Sequence, residues 1–401
     1  MRILVISNLY PPLVRGGYEI LCGQVVDHLR QRGHQVLVLT SDHGLAPGQE
    51  RADEPEVRRL LRLYQPFALP AGVMRGARLR AEAHNRRVAA MVIDQWRPEL
   101  AFVWSQLRLT LGAARAAQAA GLPVAYTFND EHLAGYRPAP WKAAPRGLAA
   151  ALLDRLLSQR LTLRGLDLSQ TTCISQLLKN NLLAQGLPIA ASRVIYQGIE
   201  LDQFPPKPKP GELGRPLRLL YVGQLHAYKG VHTLLEAAHQ LAAGPEGLAL
   251  SLTIVGAGDA EYEARLAELA QAGPARVEFA GRVPHQELPL VYRAHHVFVF
   301  PSQWAEPFGL THLEAMASGL PVVSTGHGGQ GEFLVHERNS LVFPAGDVGR
   351  LRESLARLAG DPALAQRLAL AGRQTVSRDF TLARYLDQLE DFLRQAREQR
   401  P

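Results

Sequence analysis

The sequence predicts an α/β protein of two doubly wound domains, and three observations carry that expectation. First, an apolar strand at residues 2–7, a glycine turn at Arg15-Gly-Gly-Tyr-Glu19, an amphipathic helix over 18–31 that stops at Gly33, and a strand from Gln35 to Thr40 form a βαβ unit. Such a unit demands a parallel sheet with a right-handed crossover. Second, the same alternation starts afresh at Leu217–Gly223. Third, Pro205-Pro-Lys-Pro-Lys-Pro-Gly211 separates the two series. A proline at nearly every second position excludes helix and central strand, so this stretch reads as a linker or an extended surface crossing. The chain has 401 residues, too many for one ordinary core. Two domains of about 150–200 residues each suit that length.

The remaining elements follow the same alternation. In the first half the pattern predicts a helix near 77–96, a strand at Leu100–Trp104, a helix at 109–120 and a strand at Val124–Phe128. Trp141 to Leu166 reads as strongly helical, and Asp167–Ile174 and Ser192–Tyr196 as the last strands of the first domain. In the second half a helix at 230–242, a strand at Leu250–Gly256, a helix at 259–272 and a strand at 276–280 precede the apolar run Val297–Phe300. Pro307 and Gly309 delay the next helix to about Gly309, and Ser318-Gly319 stops it, because glycine readily takes the left-handed conformation. Val322–Thr325 is a further strand, and helices near 347–359, 361–376 and 381–398 close the chain.

Composition narrows the class. Hydrophobic content of 47% and charged content of 20% describe a foldable globular chain. Cys22 and Cys173 are its two cysteines, which argues against a disulfide framework and against a cysteine-based metal site. The stretch Met1–Ser7 reads as a strand, too short and too uncharged for a signal peptide, and no apolar run reaches the ~18 residues a membrane span needs. A cytoplasmic location is the expectation. Net charge is +7, mostly from arginine. A basic surface fits nucleic acid, anionic membrane or phosphorylated small molecules. The cations are dispersed without interleaved aromatics, which disfavours nucleic acid.

Chemistry concentrates where strands end. Gly16-Gly17 lies between a strand and a helix and lets a backbone approach a phosphate closely, although it is not G-x-G-x-x-G and serves equally as a plain turn. Lys229, before a helix and beside Gly230, is placed to meet a diphosphate as a mobile point charge. Gly256-Ala-Gly258, the loop Gly281-Arg282-Val283, the stretch Glu306–Pro321 and Gly326–Glu332 put four glycine-bearing loops on one rim of the second sheet. The helix that starts near Gly309 has first-turn amides without internal partners, and such an end attracts phosphate. The second domain therefore reads as a nucleotide-phosphate binder.

The chain resembles the GT-B-fold, family-4-like retaining glycosyltransferases over nearly its full length. The residues that carry the likeness are Pro11-Pro12 with Gly16-Gly17-x-Glu19, Val194-Ile-Tyr-Gln-Gly-Ile-Glu200 with Phe204, and Gly223-x-Leu225 with Lys229-Gly230. They continue with Pro301-Ser302, Glu306 and Glu314 in E-x7-E spacing, Glu314-Ala-Met-Ala-x-Gly319-x-Pro-Val-Val323, and Gly328-Gly329 with Glu332. The resemblance implies two Rossmann-like doubly wound domains facing across a cleft. Residues 1–204 would be the acceptor side and 205–377 the nucleotide-sugar side, with the C-terminal helix of about 378–401 packing back on the first domain.

The resemblance also implies roles. Glu314 would accept hydrogen bonds from the ribose, with Gly256, Arg282 and Val283 beside the nucleoside. Glu306, the amides of Phe308 and Gly309, and Asn129 would meet the donor sugar. Lys229, Gln224, Leu310 and Thr311, joined by Gly16 and Gly17, would hold the diphosphate. Glu306, Lys229 and Asn129 are thus the expected catalytic set. No Asp-x-Asp occurs, so neither a metal nor another cofactor is expected beyond the UDP-, GDP- or ADP-sugar itself. Two positions depart from the family pattern: Gln224 stands where arginine is usual, and Asn129, followed by Asp130, where histidine is frequent.

The acceptor (a glycan, a lipid-linked sugar or a small molecule) is expected on the first domain. Residues 142–166 combine Leu148, Leu152, Leu153, Leu156, Leu157, Leu161 and Leu163 with Lys142, Arg146, Arg155, Arg160 and Arg164, and Arg75, Arg78, Arg80, Arg86 and Arg87 form a second basic set. Such a helix can lie on anionic lipid at the inner membrane face, and the pattern fits equally a helix packed on its own sheet with a solvated basic side. Two other functions fit parts of the pattern: a sugar-nucleotide-binding protein without transfer activity, and a sugar-nucleotide epimerase on a related two-domain fold.

Overall fold

In a computed structural model, residues 1–44, 55–65, 67, 75–136, 161–244 and 247–399 are described. The chain divides into two compact units, Met1–Ile195 with Leu386–Pro401, and Tyr196–Tyr385. Each is built on one all-parallel sheet.

The first unit contains strands β1 (Arg2–Ile6), β2 (Gln35–Ser41), β3 (Val57–Leu61), β4 (Leu100–Val103), β5 (Val124–Phe128), β6 (Thr171–Cys173) and β7 (Arg193–Val194) in the order β3-β2-β1-β4-β5-β6-β7. Its helices are α1 (Gly17–Gln31), α2 (Arg75–Trp96), α3 (Gly112–Ala119) and α4 (Gln176–Ala184). The central strands are continuous apolar runs because helices cover both faces of a parallel sheet. Ile3, Leu4, Val5 and Ile6 of β1 are accordingly at most 1% exposed.

The second unit repeats the plan with β8 (Leu217–Val222), β9 (Leu250–Val255), β10 (Arg276–Gly281), β11 (Val297–Phe300), β12 (Val322–Ser324) and β13 (Leu341–Val342), in the order β10-β9-β8-β11-β12-β13. Helices α5 (Val231–Ala243), α6 (Ala260–Gln271), α7 (Leu288–Ala294), α8 (Leu310–Ala317), α9 (Val348–Gly360) and α10 (Pro362–Asp379) surround it. In each sheet the strand order reverses once, between β1 and β4 in the first and between β8 and β11 in the second. Ligands of such sheets bind outside the carboxyl ends of the strands at that reversal.

Helix α11 (Leu382–Glu398) begins against the second unit, where Leu382 N donates to Ile199 O at 2.8 Å. Its later turns belong to the first unit, where the buried Glu390 accepts from His34 Nε2 at 2.9 Å and Arg32 Nη1 at 3.2 Å. Phe204 packs inside the second unit, edge-on to His285 at 5.8 Å and to Tyr292 at 5.9 Å.

Four short elements went unread in the sequence: β3, α4, α7 and β13. Several expected elements are shorter than their patterns: the strand Ser192–Tyr196 is reduced to Arg193–Val194 and the helix 109–120 to Gly112–Ala119. Asp167–Ile174 contributes only Thr171–Cys173 as strand, and residues 161–166 of the expected helix Trp141–Leu166 are turns and bends. The rest of that helix lies outside the described residues, as do its basic side chains apart from Arg164. No helix among the described residues is long and apolar enough to cross a membrane.

Candidate active site

The strand reversal of the second unit is where its charged residues meet. β8 ends at Val222, and the chain crosses Gly223, Gln224 and a single 3-10 turn, Ala227–Lys229, before α5. β11 ends at Phe300 and leads through Pro301 and Ser302 to Glu306. Lys229 Nζ donates to both oxygens of Glu306, at 2.7 and 2.8 Å. Both residues are under 9% exposed. Ser302 Oγ donates to the same carboxylate at 2.6 Å. Rings of Trp304, Tyr228 and Phe300 stand 5.1, 5.5 and 5.8 Å from the ammonium, adding cation–π attraction. A charge pair this deep persists only because every member is bonded; removing one would strand the other.

The Glu306 backbone is fixed as firmly as its side chain. Glu306 N donates to His327 O at 3.0 Å and Gly329 N to Glu306 O at 2.6 Å, so the loop after β12 runs alongside it as a one-residue bridge to Gly328. A Cβ on Gly328 would stand 2.3 Å from Glu306 N, and its φ of +116° is one that side chains rarely adopt. Gly326–Glu332 is therefore glycine-rich partly to let this strand-like approach happen.

From Gly309, α8 carries Glu314 into the interior. The amides of Leu310 and Thr311 have no protein acceptor among the described residues, and Gly309 supplies no capping side chain. Glu314 is 4% exposed; its Oε1 lies 3.1 Å from His285 Nε2 and its Oε2 accepts from Tyr292 Oη at 2.8 Å. That carboxylate raises the His285 pKa above the ordinary histidine value of 6.5. Burial, and then the charge of Glu314, push the Tyr292 phenol well above its ordinary value. His312 faces the other way, fully buried against Phe300 at 4.6 Å. Because Ser324 Oγ donates to Phe300 O at 3.1 Å, the bond of 3.0 Å from His312 reaches Ser324 with the imidazole proton on Nε2. Burial and the nearby Lys229 charge push its pKa down to about 3, so it stays neutral.

The other expected residues of this unit take quieter places. Phe308 points inward, stacked on Tyr196 at 5.9 Å and edge-on to Phe333 at 5.4 Å, which leaves only its backbone for a ligand. Gln224 is exposed, with its carbonyl accepting from Tyr221 Oη at 2.8 Å. Arg282 is exposed and Val283 half-buried. Gly256 has a structural reason of its own: a Cβ there would stand 1.8 Å from Gly223 O.

The first unit presents a different surface at its own strand ends. Gly16 and Gly17 are exposed, and Glu19 Oε2 accepts from Gly16 N at 3.0 Å and Arg15 N at 3.2 Å, closing the turn onto α1. Tyr18 stacks on Trp104 at 5.0 Å across the gap between β1 and β4, and its hydroxyl donates to Trp104 O. Asn129 Nδ2 donates in turn to the Tyr18 oxygen. His132 follows, its main-chain N–H donating to Asp130 Oδ1 at 2.8 Å, with an imidazole held below its ordinary pKa chiefly by burial.

Glu306 and Lys229 were expected at one ligand, and the fold joins them directly. His285 and Tyr292 were not among the expected site residues, and Ser302, part of the Pro301-Ser302 motif, had no assigned role. His285 lies in the 3-10 turn His285–Glu287 and Tyr292 in the adjoining α7, two short elements that no single sequence period joins. Among the described residues no cluster of histidine, cysteine or carboxylate side chains has the makings of a metal site.

The family model described as Glycosyl transferases group 1 matches residues 204–375, and that described as Glycosyltransferase Family 4 matches residues 15–203. A glycogen synthase of Mycobacterium tuberculosis is 30% identical over 398 residues, covering 95% of this chain and 91% of the relative. A GDP-mannose-dependent alpha-(1-6)-phosphatidylinositol monomannoside mannosyltransferase of the same organism is 27% identical, with 98% of both chains covered. Among solved structures, Anabaena HepE in complex with UDP-glucose superposes with a TM-score of 0.72 at 20% identity, covering 98% of this chain and all of the other.

Proposed function

Because the chain belongs to the GT-B, family-4-like glycosyltransferases, we propose that it transfers a sugar, with retention at the anomeric carbon, from a nucleotide diphosphate to a glycan, lipid-linked or small-molecule acceptor. The observation that carries this reading is the buried Lys229–Glu306 pair at the β8/β11 reversal, with the Glu314 carboxylate one turn into the helix that follows. Relatives that use GDP-mannose or hold UDP-glucose support a UDP- or GDP-sugar, and an ADP-sugar stays within the tested set.

In this reading Glu314 accepts from the ribose, and Gly256, Arg282 and Val283 border the nucleoside. The diphosphate meets the Leu310 and Thr311 amides, the Lys229 ammonium and the amide of Gln224. Gly16 and Gly17 contribute from the first unit. An ammonium has three protons, so Lys229 keeps a donor for phosphate while holding Glu306. Glu306, oriented by Lys229 and Ser302, accepts from sugar hydroxyls beside the Phe308 and Gly309 amides, and Asn129 adds a neutral contact. As the glycosidic bond lengthens, the anomeric carbon becomes oxocarbenium-like and charge gathers on the leaving diphosphate. Donors already aimed at it lower the barrier, because they need no reorganisation at that moment. The acceptor hydroxyl attacks on the face the diphosphate leaves and gives its proton to a phosphate oxygen. The protein then needs no nucleophile of its own.

The cytoplasmic side is the proposed place of action, and the exposed Arg80, Arg86 and Arg87 on α2 are the proposed contact with anionic lipid, Arg78 being packed against Tyr64 and Tyr136. No metal or further cofactor enters the scheme.

Thermal-shift titration with UDP-, GDP- and ADP-sugars identifies the donor, since a ligand that binds only the folded state raises the melting temperature. Glu314→Ala and Lys229→Ala are each expected to weaken nucleotide binding, and unchanged affinity in both overturns the site. Retention is read from the anomeric configuration of the product by NMR; an inverted product overturns that step.

A further inference from the structure

Glu314 does not hold its position alone. Its two oxygens are taken by two different elements: His285 from the 3-10 turn His285–Glu287, and Tyr292 from α7. Tyr292 is 0% exposed and is gripped further by Phe298, with ring centroids 6.0 Å apart. Phe204 lies edge-on to both His285 and Tyr292, locking the two rings that hold the carboxylate. Phe204 sits directly before the proline-rich stretch, so the end of that connection forms part of the bracket.

The count of lone pairs gives this arrangement a purpose. A carboxylate offers about four acceptor positions, and His285 and Tyr292 use one on each oxygen. A vicinal diol has two hydroxyls to donate. We propose that His285 and Tyr292 are positioning residues for the nucleotide: they hold the Glu314 carboxylate so that the free lone pair of each oxygen meets one hydroxyl of the ribose. A glutamate without these partners would have to be ordered by the ligand itself, and affinity would fall accordingly. The groups that act on the His285 proton are the Glu314 carboxylate from α8 and burial, while Tyr292 from α7 shares that same carboxylate. His285 is the accessible half of the bracket, its side chain 27% exposed.

The inference rests on Glu314 being the ribose-binding carboxylate, and the test separates the two ideas. The nucleoside diphosphate that most stabilises the wild type (UDP, GDP or ADP) and its 2′,3′-dideoxy counterpart are titrated calorimetrically into the wild type, Glu314→Ala, His285→Ala, His285→Gln and Tyr292→Phe. The expected result is that His285→Ala weakens the ribonucleotide on the order of tenfold, the scale of one hydrogen bond to a charged group, and leaves the dideoxynucleotide unchanged. His285→Gln, which keeps an N–H donor, recovers most of the loss. Tyr292→Phe likewise narrows the ribo/dideoxy ratio. Equal losses for both ligands, or no loss, in His285→Ala overturn the positioning role while Glu314→Ala still abolishes discrimination. If Glu314→Ala leaves the ratio intact, the ribose assignment itself falls and takes this inference with it.

Discussion

The two units share a strand plan and differ in what they place at its reversal. In the second, charged side chains are buried and satisfied by one another: Lys229 with Glu306 and Ser302, Glu314 with His285 and Tyr292. In the first, the corresponding gap is bridged by neutral groups, Tyr18 stacked on Trp104 and bonded to Asn129. The same scaffold therefore carries two kinds of surface. Buried ions must be prearranged, because desolvating them during binding would cost more than the ligand returns. A rim of aromatic faces and amides tolerates varied partners, because its groups lose little when one contact is imperfect.

The contrast breaks most visibly at Lys229. Lys229→Ala leaves the Glu306 carboxylate buried without its counter-charge, for which about 3–5 kcal/mol of stability loss is expected. Urea denaturation followed by circular dichroism measures it. Replacing both partners by apolar residues, Lys229→Met with Glu306→Leu, should return much of the stability while nucleotide affinity stays lost. A loss under about 1 kcal/mol in Lys229→Ala would mean the pair is worth no more than a surface salt bridge, and the division into charged and neutral rims would not hold.

What was legible beforehand follows the same physics. Buried parallel strands are nearly continuous apolar runs, so β11 could be read directly from Val297–Phe300 and β8 from Leu217–Val222, where Arg218 alone breaks the run. Strand β3 could not: as a sheet edge it carries Arg58 and Arg59, and charged edges do not look like strands. Two-residue β13 is too short for any periodicity to register. At the site, glycine and proline punctuation located the loops, but not which side chains meet. Lys229 and Glu306 are 77 positions apart, and only the strand order brings them together. The glycines were the most ambiguous signal. Gly256 and Gly328 lie on the expected rim, yet loop-against-loop packing alone demands them.

A smaller effect probes the neutral side. Tyr18→Phe removes the hydroxyl that links Trp104 O to Asn129 and keeps the ring stacked on Trp104 at 5.0 Å. One such hydrogen bond contributes about 1 kcal/mol, so a modest lowering of the urea midpoint is expected with nucleoside diphosphate affinity unchanged. A loss comparable with that of Lys229→Ala would show that the first unit's rim is as tightly committed as the second's, and the contrast would lose its meaning.

The smallest effect is a slope in pH, and it belongs to the charged side alone. The bond to Glu314 raises the folded-state pKa of His285 above 6.5. Its stabilising contribution is then fully present below the unfolded value and is lost as pH rises through the folded one. The wild type should therefore exceed His285→Gln in stability most at mildly acid pH, and the difference should shrink toward alkaline pH. Tyr292 does not contribute to that slope, because its phenol is held well above its ordinary value and keeps its proton throughout. His296 and His312, pushed down to about 4 and about 3, titrate below the window and cancel between the two proteins. Urea midpoints measured at a series of pH values give the difference directly. Parallel curves would mean that His285 carries no extra proton beside Glu314, and that the carboxylate is held by Tyr292 without electrostatic help.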